Sequence, residues 1–385
     1  MRVVHVAARF PPAEGGGERH VARLTSELAK LGNDVTVVTT KMRTEVPQVL
    51  DPRLPDEESV EGVRVVRVPI RSTGIPAWGY GFEIPNLRAL VDRFVPDVVH
   101  LHGYGYKSWD ALVRDRAGAR WKVALTSHGF VEGRGAFRPL KGLYNLLKGP
   151  GTVGALDAAI ALTPTDAATF TELGARRVEV IPNGVEYERF AHAKPDQDLL
   201  AKLRVDVGRY VLNVSRIEKV KGQDLLLEAF ARAASPESGI DLVLAGEGTA
   251  SDEVRDLARS LGVDDRVRFA GRLLDPQVAS LVKTARVFAH TPREEPFGIV
   301  YLEAMAAEVP TLGTNVGGVP FATGGAALLV APSPPAIAEG LHDLLTDEPH
   351  RARLIGRGRH HAKAQTWTSN AARVHALYKE LVAAG

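Results

Sequence analysis

The chain contains no cysteine, which excludes disulfides, thiolate metal ligands and cysteine nucleophiles. No apolar run approaches the length that spans a bilayer. Charge of one sign is also scarce. Forty-eight basic residues face 46 acidic ones for a formal net charge of +2, so nothing marks a nucleic-acid-binding surface. Short repeats and low-complexity segments are missing too. The first residues, Met1 to Ala8, read as a buried strand. They are too short for a signal-peptide core, and a cytoplasmic location is the expectation.

What is present describes a folded protein of ordinary make-up, with 45% hydrophobic and 24% charged residues. A length of 385 residues exceeds one ordinary core, so two domains are expected. Short β-prone runs fall at Val3–Ala8, Asp34–Thr40, Val63–Pro69, Asp97–Leu101, Lys122–Ser127, Ala158–Leu162 and Val178–Ile181. Helical patterns such as Glu18–Leu31 and Ile84–Phe94 lie between them. A second series runs through Tyr210–Val214, Ile240–Ala245, Val267–Ala270, Val287–His290, Thr311–Gly313 and Leu328–Val330. Such alternation predicts an α/β fold with parallel sheets covered on both faces. Ligands of such sheets bind beyond the carboxyl ends of the strands. The polar stretch His192–Asp198, with Lys194-Pro195, reads as the linker.

The second half centres on Pro292-Arg-Glu-Glu-Pro-Phe-Gly-Ile-Val-Tyr-Leu-Glu-Ala-Met-Ala-Ala-Glu-Val-Pro310. Pro296 and Gly298 mark a tight loop, Gly298–Ala307 suits a helix, and Val309-Pro310 ends it. That helix is apolar on nearly every side, so it should be buried, yet it carries Glu303. A buried carboxylate costs several kcal/mol unless it is paired. Glu295 lies at the helix mouth, and Glu303 sits roughly 7–8 Å further along. The N–H groups of Phe297, Gly298 and Ile299 point out of the mouth and attract an anion. A phosphate-bearing ligand with two separated sets of hydroxyls, such as a nucleotide sugar, fits this layout. On spacing alone, a core Arg beside Glu303 and a solvated loop at Glu295 fit equally well.

Ser215-Arg-Ile-Glu-Lys-Val-Lys-Gly222 follows a strand and precedes a helix. Arg216 and Lys221 there are placed to clamp a pyrophosphate, or they are a solvated basic turn. Gly15, Gly16 and Gly17 join the first strand to a helix, a phosphate-approach geometry without the spacing of a dinucleotide fingerprint. They also fit a flexible turn. His128, in Thr126-Ser-His-Gly129, follows a strand and should project beyond the sheet, or be a loop histidine satisfied by backbone. His102 occupies a similar strand end, in His100-Leu-His-Gly103.

Together these motifs resemble the retaining glycosyltransferases of family 4. The marks are Glu295 and Glu303 separated by seven residues within the full block, Gly317-Gly318-Val319-Pro320 after it, and an Arg-x4-Lys-Gly at Arg216 to Gly222. The resemblance covers almost the whole chain. It implies the GT-B architecture, two Rossmann-like parallel-sheet domains facing a cleft. The expected division is 1–190 on the acceptor side, 191–366 for the nucleotide sugar, and 367–385 as a helix returning to the first domain. The implied activity is transfer of a sugar from a nucleotide sugar, expected to be a UDP-sugar, to a hydroxyl acceptor with retention. Glu295 and His128 would contact the donor sugar, Glu303 the ribose, and Arg216 and Lys221 the diphosphate. Gly16 and Gly17 would lie near the pyrophosphate, and Gly271 and Arg272 near the nucleobase. Arg19, His20 and His102 are acceptor-side candidates. No cofactor and no metal are expected, since two side-chain cations meet the diphosphate charge.

A basic, partly apolar segment, Gly133 to Gly149, meets a membrane or lipid acceptor in several members of that family. The expectation for this chain is a helix capping the domain with its basic face in water. Where most members carry Glu after Val319-Pro320, this chain has Phe321. Two rival readings remain, a GT-B epimerase and a non-catalytic sugar-nucleotide-binding protein.

Overall fold

The computed structural model describes residues 1–45, 48–73, 81–129, 138–235 and 238–384, without the side chains of 138–141. The chain forms two compact units, Met1–Asn183 with Trp367–Gly385, and Gly184–Thr366.

The first unit is built on an eight-stranded sheet. Its order is Val178–Val180, Ala158–Ala161, Lys122–Thr126, Val98–His102, Arg2–Ala7, Asp34–Thr40, Val63–Val68 and Glu57–Val60. Seven of these strands pair in parallel, as the alternating pattern predicts. Their apolar runs (Val3, Val4, Val6, Val98, Val99, Leu101) are buried because helices cover both faces. The eighth, Glu57–Val60, is an antiparallel edge strand that the sequence reading misses. It is mostly exposed, so no burial pattern betrays it, and it is made by a hairpin with positive φ at Glu61 and Gly62.

The C-terminal helix Trp367–Ala383 belongs to this unit and packs on the helix Gly16–Lys30. Val374, Leu377, Tyr378 and Leu381 join Leu24, Leu28, Val35 and Val37 in one core. Asn370 donates to the Pro182 carbonyl at 2.6 Å, and Tyr378 Oη lies 2.6 Å from His100 Nδ1.

The second unit holds a six-stranded parallel sheet. Its order is Val267–Gly271, Asp241–Ala245, Tyr210–Val214, Val287–His290, Thr311–Thr314 and Leu328–Val330.

The chain passes between units at Asn183/Gly184, earlier than the expected 190/191 boundary, and the linker reading of 192–198 is corrected. Val185 N–H donates to the Gln365 carbonyl at 2.8 Å, which ties the entering and leaving segments together inside the second unit. The helix Tyr187–Ala191 is anchored there by an Arg189–Asp275 bond of 2.7 Å. The polar stretch is the turn before the helix Gln197–Leu203, which Asp196 caps by accepting from Leu199 N–H at 3.0 Å.

Within the basic segment, Gly133, Arg134 and Phe137 lie outside the described residues. The helix Arg138–Leu147 presents Leu143, Leu146 and Leu147 to solvent and buries Tyr144. No described helix is long and apolar enough to cross a membrane.

Tyr378→Phe removes the hydroxyl partner of a buried imidazole. Urea unfolding should show a loss of about 1–3 kcal/mol, the cost of one unsatisfied buried polar atom.

Candidate functional site

In the second sheet the strand order reverses between Tyr210–Val214 and Val287–His290. At such a point the loops leaving two adjacent strands diverge, and ligands of open α/β sheets bind between them. One loop runs from Ser215 to Gly222, the other from Thr291 to Gly298. They are laced by backbone: Arg293 N–H donates to Val220 O at 2.8 Å, and Thr291 Oγ1 donates to Gly222 O at 3.0 Å. Gly222 has φ +69°, and a Cβ there would stand 2.0 Å from the Thr291 carbonyl oxygen. Only glycine permits this approach.

The lacing brings Lys221 Nζ to 2.8 Å from Glu295 Oε2. His290 Nε2 lies 3.1 Å from the same oxygen. Burial pushes the Glu295 carboxyl up, but the His290 hydrogen bond and the Lys221 charge outweigh it and hold the group at about 2. His290 too lies below its ordinary value. Burial lowers it, and Glu295 opposes that. Its carbonyl accepts from Tyr301 Oη at 2.8 Å. His290 is a residue that the sequence reading passes over, because a histidine closing an apolar strand looks like core.

Glu295 is also fixed through its backbone. Gly318 N–H donates to its carbonyl at 2.9 Å, and a Cβ on Gly317 would sit 2.2 Å from that oxygen. This is what the Gly317-Gly318 pair is for. The helix expected over 298–307 spans Ile299–Ala306, with Gly298 as its left-handed cap at φ +90°. Its first N–H groups have no intrahelical acceptor. Glu303 is buried in it at 3% exposure.

The two expected cations are held differently. Lys221 is fixed on Glu295, whereas Arg216 is exposed and bonds Glu218 at 2.5 Å. Arg216 is nonetheless set firmly at its backbone, because Gly246 and Gly248 let the next loop press against Ser215 and Ile217. Gly271 ends its strand at φ +65° and accepts from Gly246 N–H at 2.9 Å, with Arg272 exposed beside it. Phe297 is buried. Phe321 is 38% exposed on the short helix Val319–Thr323.

In the first sheet the order reverses between Arg2–Ala7 and Val98–His102. The helix Gly16–Lys30 starts near this point, and a Cβ on Gly17 would lie 3.8 Å from the His128 ring. Gly16 is exposed and Arg19 half-buried. His128 holds φ +57°, a conformation uncommon for a residue with a side chain. Its Nε2 lies 2.9 Å from His102 Nδ1. His102 Nε2 is in turn 2.8 Å from His5 Nδ1. His20 packs edge-on to His128, with ring centroids 4.6 Å apart, and its Nδ1 is 2.6 Å from Asn183 Oδ1.

The structure thus gathers His20, His102 and His128. It adds His5, His100 and Asn183, which the sequence reading does not single out. His100 and His102 share a face of one strand, and His5 stands beside His100 in register on the next. Burial lowers His20 to about 4 and His5 to about 3, the latter helped by His20. Burial also holds His100, His102 and His128 well below the usual range.

The low Glu295 value makes a pH prediction. A depressed carboxyl stabilises the fold above its unfolded value near 4.5, and that contribution is lost as pH falls toward 2. Between those limits wild type should lose on the order of 3 kcal/mol more unfolding free energy than Glu295→Gln. Parallel pH profiles of the two proteins check this.

Comparison with known proteins covers both units of the chain. Residues 14–189 match the description Glycosyltransferase Family 4, and residues 199–361 match Glycosyl transferases group 1. A D-inositol 3-phosphate glycosyltransferase of Frankia alni is 30% identical over 403 residues, covering 95% of this chain and 94% of that protein. A GDP-mannose:cellobiosyl-diphosphopolyprenol alpha-mannosyltransferase of Komagataeibacter xylinus is 27% identical, covering 99% of this chain and 94% of that protein. HepE of Anabaena, solved in complex with UDP and glucose, superposes with a TM-score of 0.72 at 19% identity, covering 99% of this chain and 100% of that one. That likeness shows the GT-B fold of two Rossmann-like domains. With both halves matched in order and a relative of 30% identity spanned nearly end to end, the chain belongs to the group 1, family 4 glycosyltransferases.

Proposed function

We propose that this glycosyltransferase moves a hexose from a UDP-sugar to a hydroxyl acceptor with retention at the anomeric carbon and without a metal at the diphosphate. The observation that carries the reading is the Lys221–Glu295–His290 cluster at the reversal point of the second sheet, beside the helix that buries Glu303. Lys221 and Arg216 are assigned to the departing diphosphate, joined by N–H groups at the start of the helix Ile299–Ala306. Such groups accelerate the reaction to the extent that they bind the transition state more tightly than the ground state. Glu295, held ionised, accepts hydroxyls of the sugar, and Glu303 accepts those of the ribose. Gly271 and Arg272 are assigned to the nucleobase, Gly16 and Gly17 to the pyrophosphate, and His128 to the sugar near its anomeric centre. Arg19, His20 and His102 keep an acceptor-side assignment. The leaving diphosphate takes the acceptor's proton.

HepE is solved with UDP, whereas the Komagataeibacter relative is named for GDP-mannose. Both curated relatives are named as transferases, which sets aside the epimerase and non-catalytic readings. The location is read as cytoplasmic.

Lys221→Ala and Arg216→Ala should each lower kcat by about 10²–10³ with the competent donor, the range for removing one preorganised charge-stabilising group. The product's anomeric configuration, read by proton NMR, should match the donor's. Inversion at that carbon, or full turnover in both variants, contradicts the proposal.

A further inference from the structure

The histidine cluster of the first unit has a chemistry that sugar transfer does not use. One ring nitrogen each from His20, His102 and His128 lies within 4.8 Å of the others. His20 Nδ1 stands 2.6 Å from Asn183 Oδ1, an atom that can only accept. The His20 proton is therefore on Nδ1, and Nε2 carries a lone pair. That Nε2 is buried and has no partner. A single proton sits between His102 Nδ1 and His128 Nε2, 2.9 Å apart. With that hydrogen on His128 Nε2, its shift to His128 Nδ1 frees both facing nitrogens, while His102 keeps its own hydrogen on Nε2, where His5 Nδ1 accepts it at 2.8 Å.

We propose that His20, His102 and His128 form a three-imidazole site for a borderline divalent transition-metal ion of the Zn²⁺ class. The cation takes the place of the hydrogen between His102 and His128, which moves to His128 Nδ1, and uses the orphaned lone pair of His20. Neutral imidazoles without carboxylate or thiolate suit Zn²⁺, Cu²⁺, Ni²⁺ or Co²⁺ and not Mg²⁺ or Ca²⁺, which take oxygen ligands. Neutral imidazole is the form that ligates. An outer layer is already in place. The second nitrogen of His20 meets the Asn183 amide oxygen and that of His102 meets His5, as the ring partners of metal-bound histidines do. Nitrogens bound to one Zn²⁺ at about 2.1 Å stand roughly 3.4 Å apart, so small ring rotations close the site. Three protein ligands leave water as the fourth ligand of a tetrahedral ion. The site rests on this geometry and not on the sugar-transfer reading; a bound cation occupies the three rings which that reading assigns to the sugar and the acceptor, so the two uses compete.

The test is calorimetric titration of the metal-stripped full chain with Zn²⁺ at neutral pH, together with the visible spectrum of the Co²⁺-loaded protein. Wild type should take up one Zn²⁺ and show the intense d–d bands of four-coordinate Co²⁺. His20→Ala and His128→Ala should each weaken binding at least about 100-fold. Asn183→Ala, which leaves all three imidazoles, should weaken it about 10–100-fold. His350→Ala, in the separate Asp343–Asp347–His350 group, should leave binding unchanged. If an imidazole variant does not fold by circular dichroism, the Asn183→Ala titration and the wild-type Co²⁺ spectrum decide. No uptake by wild type, a weak six-coordinate Co²⁺ spectrum, undiminished affinity in Asn183→Ala, or loss of binding in His350→Ala overturns the proposal.

Discussion

One carboxylate oxygen, Oε2 of Glu295, takes hydrogen bonds from Lys221 at 2.8 Å and from His290 at 3.1 Å. An ionised carboxylate so far from water costs several kcal/mol unless it is paired. The surrounding chain supplies the pairing and holds it. Gly222 lets the Lys221 loop press against Thr291, and Gly317 lets a third loop press against the Glu295 carbonyl. Tyr301 secures His290 through its carbonyl. The charge of this carboxylate is thus set by the chain itself before any ligand arrives, so little reorganisation remains for a ligand to bring about.

Much of this arrangement is legible in the sequence because its causes are local. Parallel strands buried on both faces read as short runs such as Val3 to Ala7 or Leu242 to Ala245, and each is found where expected. The block from Pro292 to Pro310 reads as loop, buried helix and stop because Gly298 and Pro310 punctuate it. Glu303 announces itself as a carboxylate among apolar neighbours. The glycine pair at 317–318 stands out in the sequence, although its purpose, a close approach to the carbonyl of Glu295, shows only in three dimensions.

The rest depends on register and on long-range contact, which carry no local signal. His5 and His100 become neighbours only because their strands align residue against residue. Asn183 reaches His20 across 163 positions of sequence. His290 looks like the end of a core strand until Glu295 folds back over it. The domain boundary is misplaced for the same reason. A polar run resembles a linker, whereas the actual crossing at Asn183/Gly184 is set by the pairing of Val185 with Thr366 from the far end of the chain. Nor does composition reveal that Arg216 turns to Glu218 while Lys221 turns to Glu295.

The central claim is that the second unit is a nucleotide-sugar site with Glu303 holding the ribose. The most direct measurement is thermal unfolding of wild type and Glu303→Ala against a panel of UDP-, GDP- and ADP-sugars. A donor at 100 times its dissociation constant adds about 2.7 kcal/mol to stability. The account predicts a rise in wild-type Tm with one nucleotide family and its loss in Glu303→Ala. An equal rise in both proteins contradicts the ribose assignment, and no rise with any nucleotide sugar contradicts the donor site itself.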